Sequence, residues 1–244
     1  MAGHSPSEGW IGASLLRKED ARHLLGHGMF IADVRMPGMQ DVAFVRSQMA
    51  HAIVRQVTKP EGEAANVFTL ADLGPLNILE AGPELAAHRH SPYPALADDR
   101  VRYAGQPIAA CLKPTRAEAE DLADKVGVEL EELPAVVDCV EAMKYGSPRL
   151  FETWADNAYI ASTVTAGDPV FIAGAPIRLR RKFRMNRQAT VSLECRGCLA
   201  YWDHRNDELV VHLSTQGGHV IRLGLSQALG LPEPKGVEAQ AEAL

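Results

Sequence analysis

Residues 101–133 read VRYAGQPIAACLKPTRAEAEDLADKVGVELEEL, and the hydrophobic period changes twice within them. The turn around Gly105-Gln-Pro107 is followed by an apolar strand that runs to Leu112. Thr115 then starts a helix. Its hydroxyl is placed to accept from the N3 amide while Glu118 reaches back, a reciprocal box that satisfies two otherwise orphaned N–H groups. Leu122, Ala123 and Val126 give this helix one apolar face, and Gly127 is expected to stop it. From Val128 to Leu133 apolar and acidic residues alternate as in a half-exposed strand, and Pro134 begins its exit.

Outward from this strand–helix–strand unit the signals are shorter. Upstream, Gly12, Gly26, Gly28, Pro37 and Gly38 break residues 11–40 into turns, and Val42-Ala-Phe-Val-Arg46 reads as a buried strand. Residues 57–79 alternate apolar clusters with Pro, Gly and Asn, as strands and loops do. Residues 80–99 carry Pro83, Pro92, Pro94, His88 and His90 without a period and read as a surface loop. Downstream, residues 144–156 have linker composition. Residues 177–185, IRLRRKFRM, alternate as a strand with Ile177, Leu179, Phe183 and Met185 on one face and four cations on the other. Strands are expected over 198–202 and 209–213, then a helix with Val220, Ile221, Leu225, Ala228 and Leu229 at helical spacing, ended by Gly230 and Pro232. The tail from Lys235 is Ala/Glu-rich and shows no pattern.

Composition narrows the function. The 244 residues suffice for one large domain or two modest ones, and 46% hydrophobic residues exclude disorder. Twenty-five basic against 31 acidic residues leave a net charge of −6, which opposes a nucleic-acid surface; the basic row at 178–184 reads as a solvated or partner-facing strand face. Four cysteines are too few for a disulfide-stapled secreted fold, and the polar N-terminus has no apolar signal core, so a reducing cytoplasm is expected.

Most candidate chemistry reduces to structure. Gly26-His-Gly28 lacks the third glycine and preceding strand of a dinucleotide fingerprint and reads as a turn. Cys195-Arg-Gly-Cys198 stands alone, short of the four ligands of a structural zinc site or of a cluster, and enters a strand rather than a helix; two partly buried thiols are the expectation. His88 and His90 have no third ligand, and Glu194 suits either a pocket wall or a capping role. Gln216 differs. It closes a strand, precedes Gly217 and Gly218, and stands at a helix N-terminus, so an amide and backbone N–H groups meet where an oxyanion or metal-oxo group is well received. On these residues alone a structural role for Gln216 is still the favoured reading.

Several runs occur together and in order: Ile11-Gly-Ala-Ser-Leu-Leu-Arg-Lys-Glu-Asp20, Pro37-Gly-Met39, Phe44-Val-Arg-Ser47, Ala50-His51, Val101-Arg-Tyr-Ala-Gly-Gln-Pro107, Glu131-Glu-Leu-Pro-Ala-Val-Val-Asp138, Phe183-Arg-Met-Asn-Arg-Gln188 and Ser214-Thr-Gln216. With them residues 11–234 closely resemble the N-terminal part of the molybdenum-binding subunit of the xanthine dehydrogenase/aldehyde oxidase/carbon monoxide dehydrogenase family. The resemblance implies an α+β chain: an N-terminal arm (1–19), an α/β-hammerhead domain (20–140), a linker (141–160) and the start of a molybdopterin-binding domain (161–244). It implies that Gln216, with Gly217 beside it, contacts the molybdenum-molybdopterin cofactor, the amide donating to an oxygen ligand of the metal without bringing charge into a dry site.

The departures are as informative. The family continues past a further strand to a glycine-rich loop, whereas this chain reads Gly236-Val-Glu-Ala-Gln-Ala-Glu-Ala-Leu244; Cys195 stands where proline is common. The expectation is therefore a split-off portion, completed by a separate chain that holds the glutamate base. The implied complex hydroxylates an electron-poor carbon of an aldehyde or N-heterocycle with water-derived oxygen. Its electrons pass to [2Fe-2S] clusters and FAD on an iron–sulfur and a flavin subunit. The alternative is a non-catalytic assembly module or relic of the same fold.

Overall fold

The computed structural model describes residues 16–17, 20–77, 79–80, 88–89, 91–167, 174–186, 188–189, 191–192, 194–232 and 237–241. Most of the expected N-terminal arm, and His90, lie outside the described residues. A short helix α1 (Asp20–Leu24) leads to β1 (Asp41–Arg46), β2 (Ala52–Thr58), β3 (Val67–Phe68), β4 (Leu79–Glu80), β5 (Pro92–Tyr93), β6 (Arg100–Val101) and β7 (Pro107–Lys113). Then follow α2 (Arg116–Ala123), β8 (Gly127–Glu132), β9 (Cys198–Asp203), β10 (Glu208–Leu213), α3 (Gly218–Leu229) and β11 (Val237–Ala241).

The apolar run that follows Gln106 becomes the centre of the first half. β7 lies between β1 and β3, antiparallel to both, with Phe44 opposite Ala110 and Val67 opposite Cys111. β2 is the middle of a second antiparallel sheet, between β6 and β8. Because successive side chains of a strand point to opposite faces, β7 feeds two cores. Ala109 and Cys111 join Val67, Leu122 and Val126 under α2, while Ile108 joins Ala52, Ala97 and Val101 toward the second sheet. Val57 and Val128 pack against both clusters and tie them together. This is the mixed α+β arrangement expected of the sequence.

Four local expectations are corrected here. β1 is a strand but only half-buried, with Val42 and Phe44 on its outer face 48% and 44% exposed. The Thr115 hydroxyl accepts from the Glu118 N–H as expected, but the Glu118 carboxylate takes its bond from that hydroxyl at 2.8 Å instead of from the backbone. Helix α2 ends at Ala123, and Gly127 opens β8 instead of capping the helix. A Cβ there would stand 3.3 Å from Cβ of Thr58 on the neighbouring strand, so close approach is what favours glycine. Residues 80–99 are not purely a surface loop, since Ser91, Leu96 and Ala97 are buried.

The linker-like stretch is docked against the first half. Phe151 is buried and stacks on Trp154 at 4.4 Å, with the Arg102 guanidinium 4.9 Å from its ring centroid. Arg89 pairs with Asp156 at 2.6 Å, and the Asn157 amide donates to Ala142 O and Pro148 O while accepting from Leu150 N–H.

In the second half, β9 and β10 form a hairpin, and β10–α3–β11 is a strand–helix–strand unit with β11 parallel to β10. The tail read as patternless thus supplies a strand over 237–241. Its Ala and Glu residues have little β-propensity, and the unpaired edge of β10 overrides it. Residues 177–185 depart in the other direction and form no strand. Ile177, Leu179, Phe183 and Met185 are 79–93% exposed. Alternation makes a strand only where a neighbouring edge takes its hydrogen bonds and a core takes its apolar face. No strand among the described residues pairs with this segment.

Candidate cofactor site

The end of β10 delivers Ser214, Thr215, Gln216 and Gly217 to the leading end of α3. Thr215 Oγ1 accepts from Gly217 N–H at 3.2 Å and bends the chain, and Ile221 N–H donates to Gly217 O at 3.1 Å as the helix begins. The N-cap is therefore a glycine, which offers no side-chain oxygen to the first-turn N–H groups. No acidic residue stands in that turn to offset the positive end of the helix dipole. Gln216 is exposed beside it. A Cβ on Gly217 would meet Val220 only at an ordinary 3.8 Å, so glycine contributes an open approach here more than relief from a clash.

This donor set is neutral and oriented: one amide that can donate or accept, and backbone N–H groups at a positive helix end. It suits an oxygen-rich, negatively charged group. It therefore fits a molybdenum-molybdopterin cofactor, whose phosphate and metal-bound oxygens are acceptors.

The other candidates resolve into structure. The Glu194 carboxylate accepts from Ile31 N–H at 3.0 Å, a capping role that ties the second half to the first. Gly197 packs against Ile31 at the same place. Cys195 and Cys198 are both exposed, which corrects the expectation of partly buried thiols. The His88 ring meets Tyr159 edge-on at 4.7 Å, and its backbone bridges Ile160. Among the described residues no three His, Cys, Asp or Glu side chains converge as a metal-binding group. Gly26 ends α1 in a turn closed by its N–H to His23 O, as expected of the Gly26-His-Gly28 run. Sequence reasoning missed Asn77, which meets the far end of α3. Its partners are 150 residues away, and no local pattern announces them.

Known proteins bear on this site. Residues 25–134 match the family model for the a/b hammerhead domain of aldehyde oxidase and xanthine dehydrogenase, and residues 151–241 match that for the molybdopterin cofactor-binding domain. The carbon monoxide dehydrogenase large chain of Hydrogenophaga pseudoflava is 32% identical over 237 residues, covering 89% of this chain and 29% of the relative. The nicotine 6-hydroxylase large subunit of Paenarthrobacter nicotinovorans is 34% identical over 234 residues, covering 92% and 28%. The crystal structure of quinoline 2-oxidoreductase from Pseudomonas putida 86 superposes with a TM-score of 0.83 at 30% identity, covering 94% of this chain and 30% of that one. The chain thus spans no more than 30% of the length of these relatives.

Proposed function

Because the chain belongs to the xanthine dehydrogenase/aldehyde oxidase/carbon monoxide dehydrogenase family of molybdenum oxidoreductases, we propose that it forms one wall of the molybdenum site in a multi-chain hydroxylase. The proposed units are the hammerhead domain (20–140), a connector (141–160) and part of the cofactor domain (161–244), after an arm of residues 1–19. The single observation that carries the reading is Gln216 set beside an uncapped, glycine-led helix N-terminus within the stretch matched by the cofactor-binding model.

When bound, the molybdenum-molybdopterin group supplies a two-electron oxidation that adds water-derived oxygen to an electron-poor carbon. Gln216 then donates its side-chain N–H to an oxygen of the cofactor, holding it by a neutral contact that leaves the metal's charge unchanged. Gly217 lets the cofactor approach the backbone. The helix end offers further N–H donors and a partial positive charge.

The remaining pocket, with its glutamate base, belongs in this reading to polypeptide outside these 244 residues, and [2Fe-2S] and FAD to further subunits. An aldehyde or an N-heterocycle is the substrate class, and the cytoplasm the setting. No helix among the described residues is long and apolar enough to cross a membrane.

The test is Gln216→Ala in the assembled complex. Loss of one donor aimed at developing charge is expected to lower kcat by about 10²-fold with assembly intact. Unchanged steady-state kinetics would remove Gln216 from the site.

A further inference from the structure

Helix α3 carries Gln216 at its leading end, and its trailing end is closed from another part of the molecule. The last four carbonyls of a helix have no partner within it. Gly230, at φ 65°, turns the chain left-handed, and two carbonyls are met locally: Leu231 N–H donates to Ser226 O at 3.0 Å and Gly230 N–H to Gln227 O at 3.4 Å. The Ser226 hydroxyl donates to Leu231 O and locks the turn.

Asn77 reaches a third carbonyl and adds a second bond to Gln227 O. Its backbone N–H donates to Ala228 O at 2.9 Å, and its side-chain Nδ2 donates to Gln227 O at 2.7 Å. One residue thus caps the helix with both of its amide groups. It comes from the stretch matched by the hammerhead model, while the helix lies in the stretch matched by the cofactor-binding model.

We infer that Asn77 is a positioning residue: by capping α3 from the hammerhead side, it sets where the opposite end of the helix holds Gln216. A twelve-residue helix is a rod about 18 Å long, so a tilt of a few degrees at Asn77 moves the Gln216 end by on the order of 1 Å. Displacements of that size are costly where donors must meet a cofactor. The inference rests on the reading of Gln216 as a cofactor contact.

Three variants test it in the assembled, molybdenum-loaded complex. Asn77→Ala removes the side-chain donor, Asn77→Asp turns a carboxylate toward the carbonyls, and Asn77→His restores a ring N–H the same number of bonds from Cα. Hydrogen exchange across residues 218–231 is expected to accelerate about fivefold in Asn77→Ala and more in Asn77→Asp, and to return toward normal in Asn77→His. In the same order kcat falls by about tenfold and recovers, KM stays within twofold, and the molybdenum(V) electron paramagnetic resonance signal shifts and reverts.

Unchanged exchange in both Asn77→Ala and Asn77→Asp would show that Asn77 does not cap the helix. Faster exchange with unaltered kcat and resonance would leave a cap without a positioning role and overturn the inference. Gln216→Ala is the control. If it too leaves the resonance and kcat unaltered, the cofactor reading itself fails and the positioning role falls with it.

Discussion

The two halves of the chain treat their apolar side chains in opposite ways. In residues 41–132 every strand of the two larger sheets finds an antiparallel neighbour, and two clusters joined through Val57 and Val128 take up the apolar faces. In residues 177–192 the large described apolar side chains have no such cover: Ile177, Leu179, Phe183, Met185 and Val191 are 79–93% exposed, although the alternation over 177–185 is as regular as that of β8. The first half closes its own core. The second leaves these apolar side chains on the surface, in a chain that spans no more than 30% of its relatives' length.

The strongest test of that contrast is a pair of truncations. Ile108 is 1% exposed beneath the second sheet, and Ile108→Ala is expected to cost about 2–5 kcal/mol in denaturant unfolding. Phe183→Ala, 86% exposed, should stay within about 0.5 kcal/mol in the same measurement. Equal losses would abolish the distinction.

Thiol labelling sharpens it next. Cys111 is fully buried, and burial pushes its thiol above the ordinary range, so native-state alkylation should pass it over and modify the exposed Cys139, Cys195 and Cys198. Modification of Cys111 at the rate of the others would mean that the first core is open.

The smallest effect is on acid stability. The Lys59 ammonium, with the Thr69 hydroxyl and N–H, holds the Asp72 carboxyl well below the usual carboxylate range; Lys113 and Asn66 lower Glu63, and Arg89 and Ala158 N–H lower Asp156. A carboxyl depressed on folding adds stability that is present above its unfolded value, about pH 4, and is lost as pH falls toward the folded one. Asp72→Asn should therefore flatten the loss of stability below about pH 4 while lowering the melting temperature at pH 7 by about 2–4 °C. An unchanged acid limb would remove Asp72 as a contributor.

What was legible follows the range of the forces involved. The unit from β7 to β8 could be read because its signals are local: an apolar run, a capping threonine and a period-2 alternation within thirty residues. The 177–185 alternation was equally local and formed no strand, since pairing depends on an edge elsewhere. β11 was illegible for the converse reason: an edge was present, and weak β-formers joined it. The burial of Leu96 and the docking of Phe151 against Arg102 and Tyr93 depend on contacts that no window of sequence contains. At the candidate site the helix and its glycine-led start could be read from spacing, but an exposed glutamine has no intrinsic signature, and its proposed role came from resemblance. Asn77 was invisible because both its acceptors are carbonyls at least 150 residues away.

The most direct measurement is the molybdenum content of the complex this chain forms when it is co-expressed with the polypeptides of its genomic neighbourhood. One molybdenum per copy of the chain is predicted. A stable stoichiometric complex that never contains molybdenum would contradict the placement of Gln216 at a metal site.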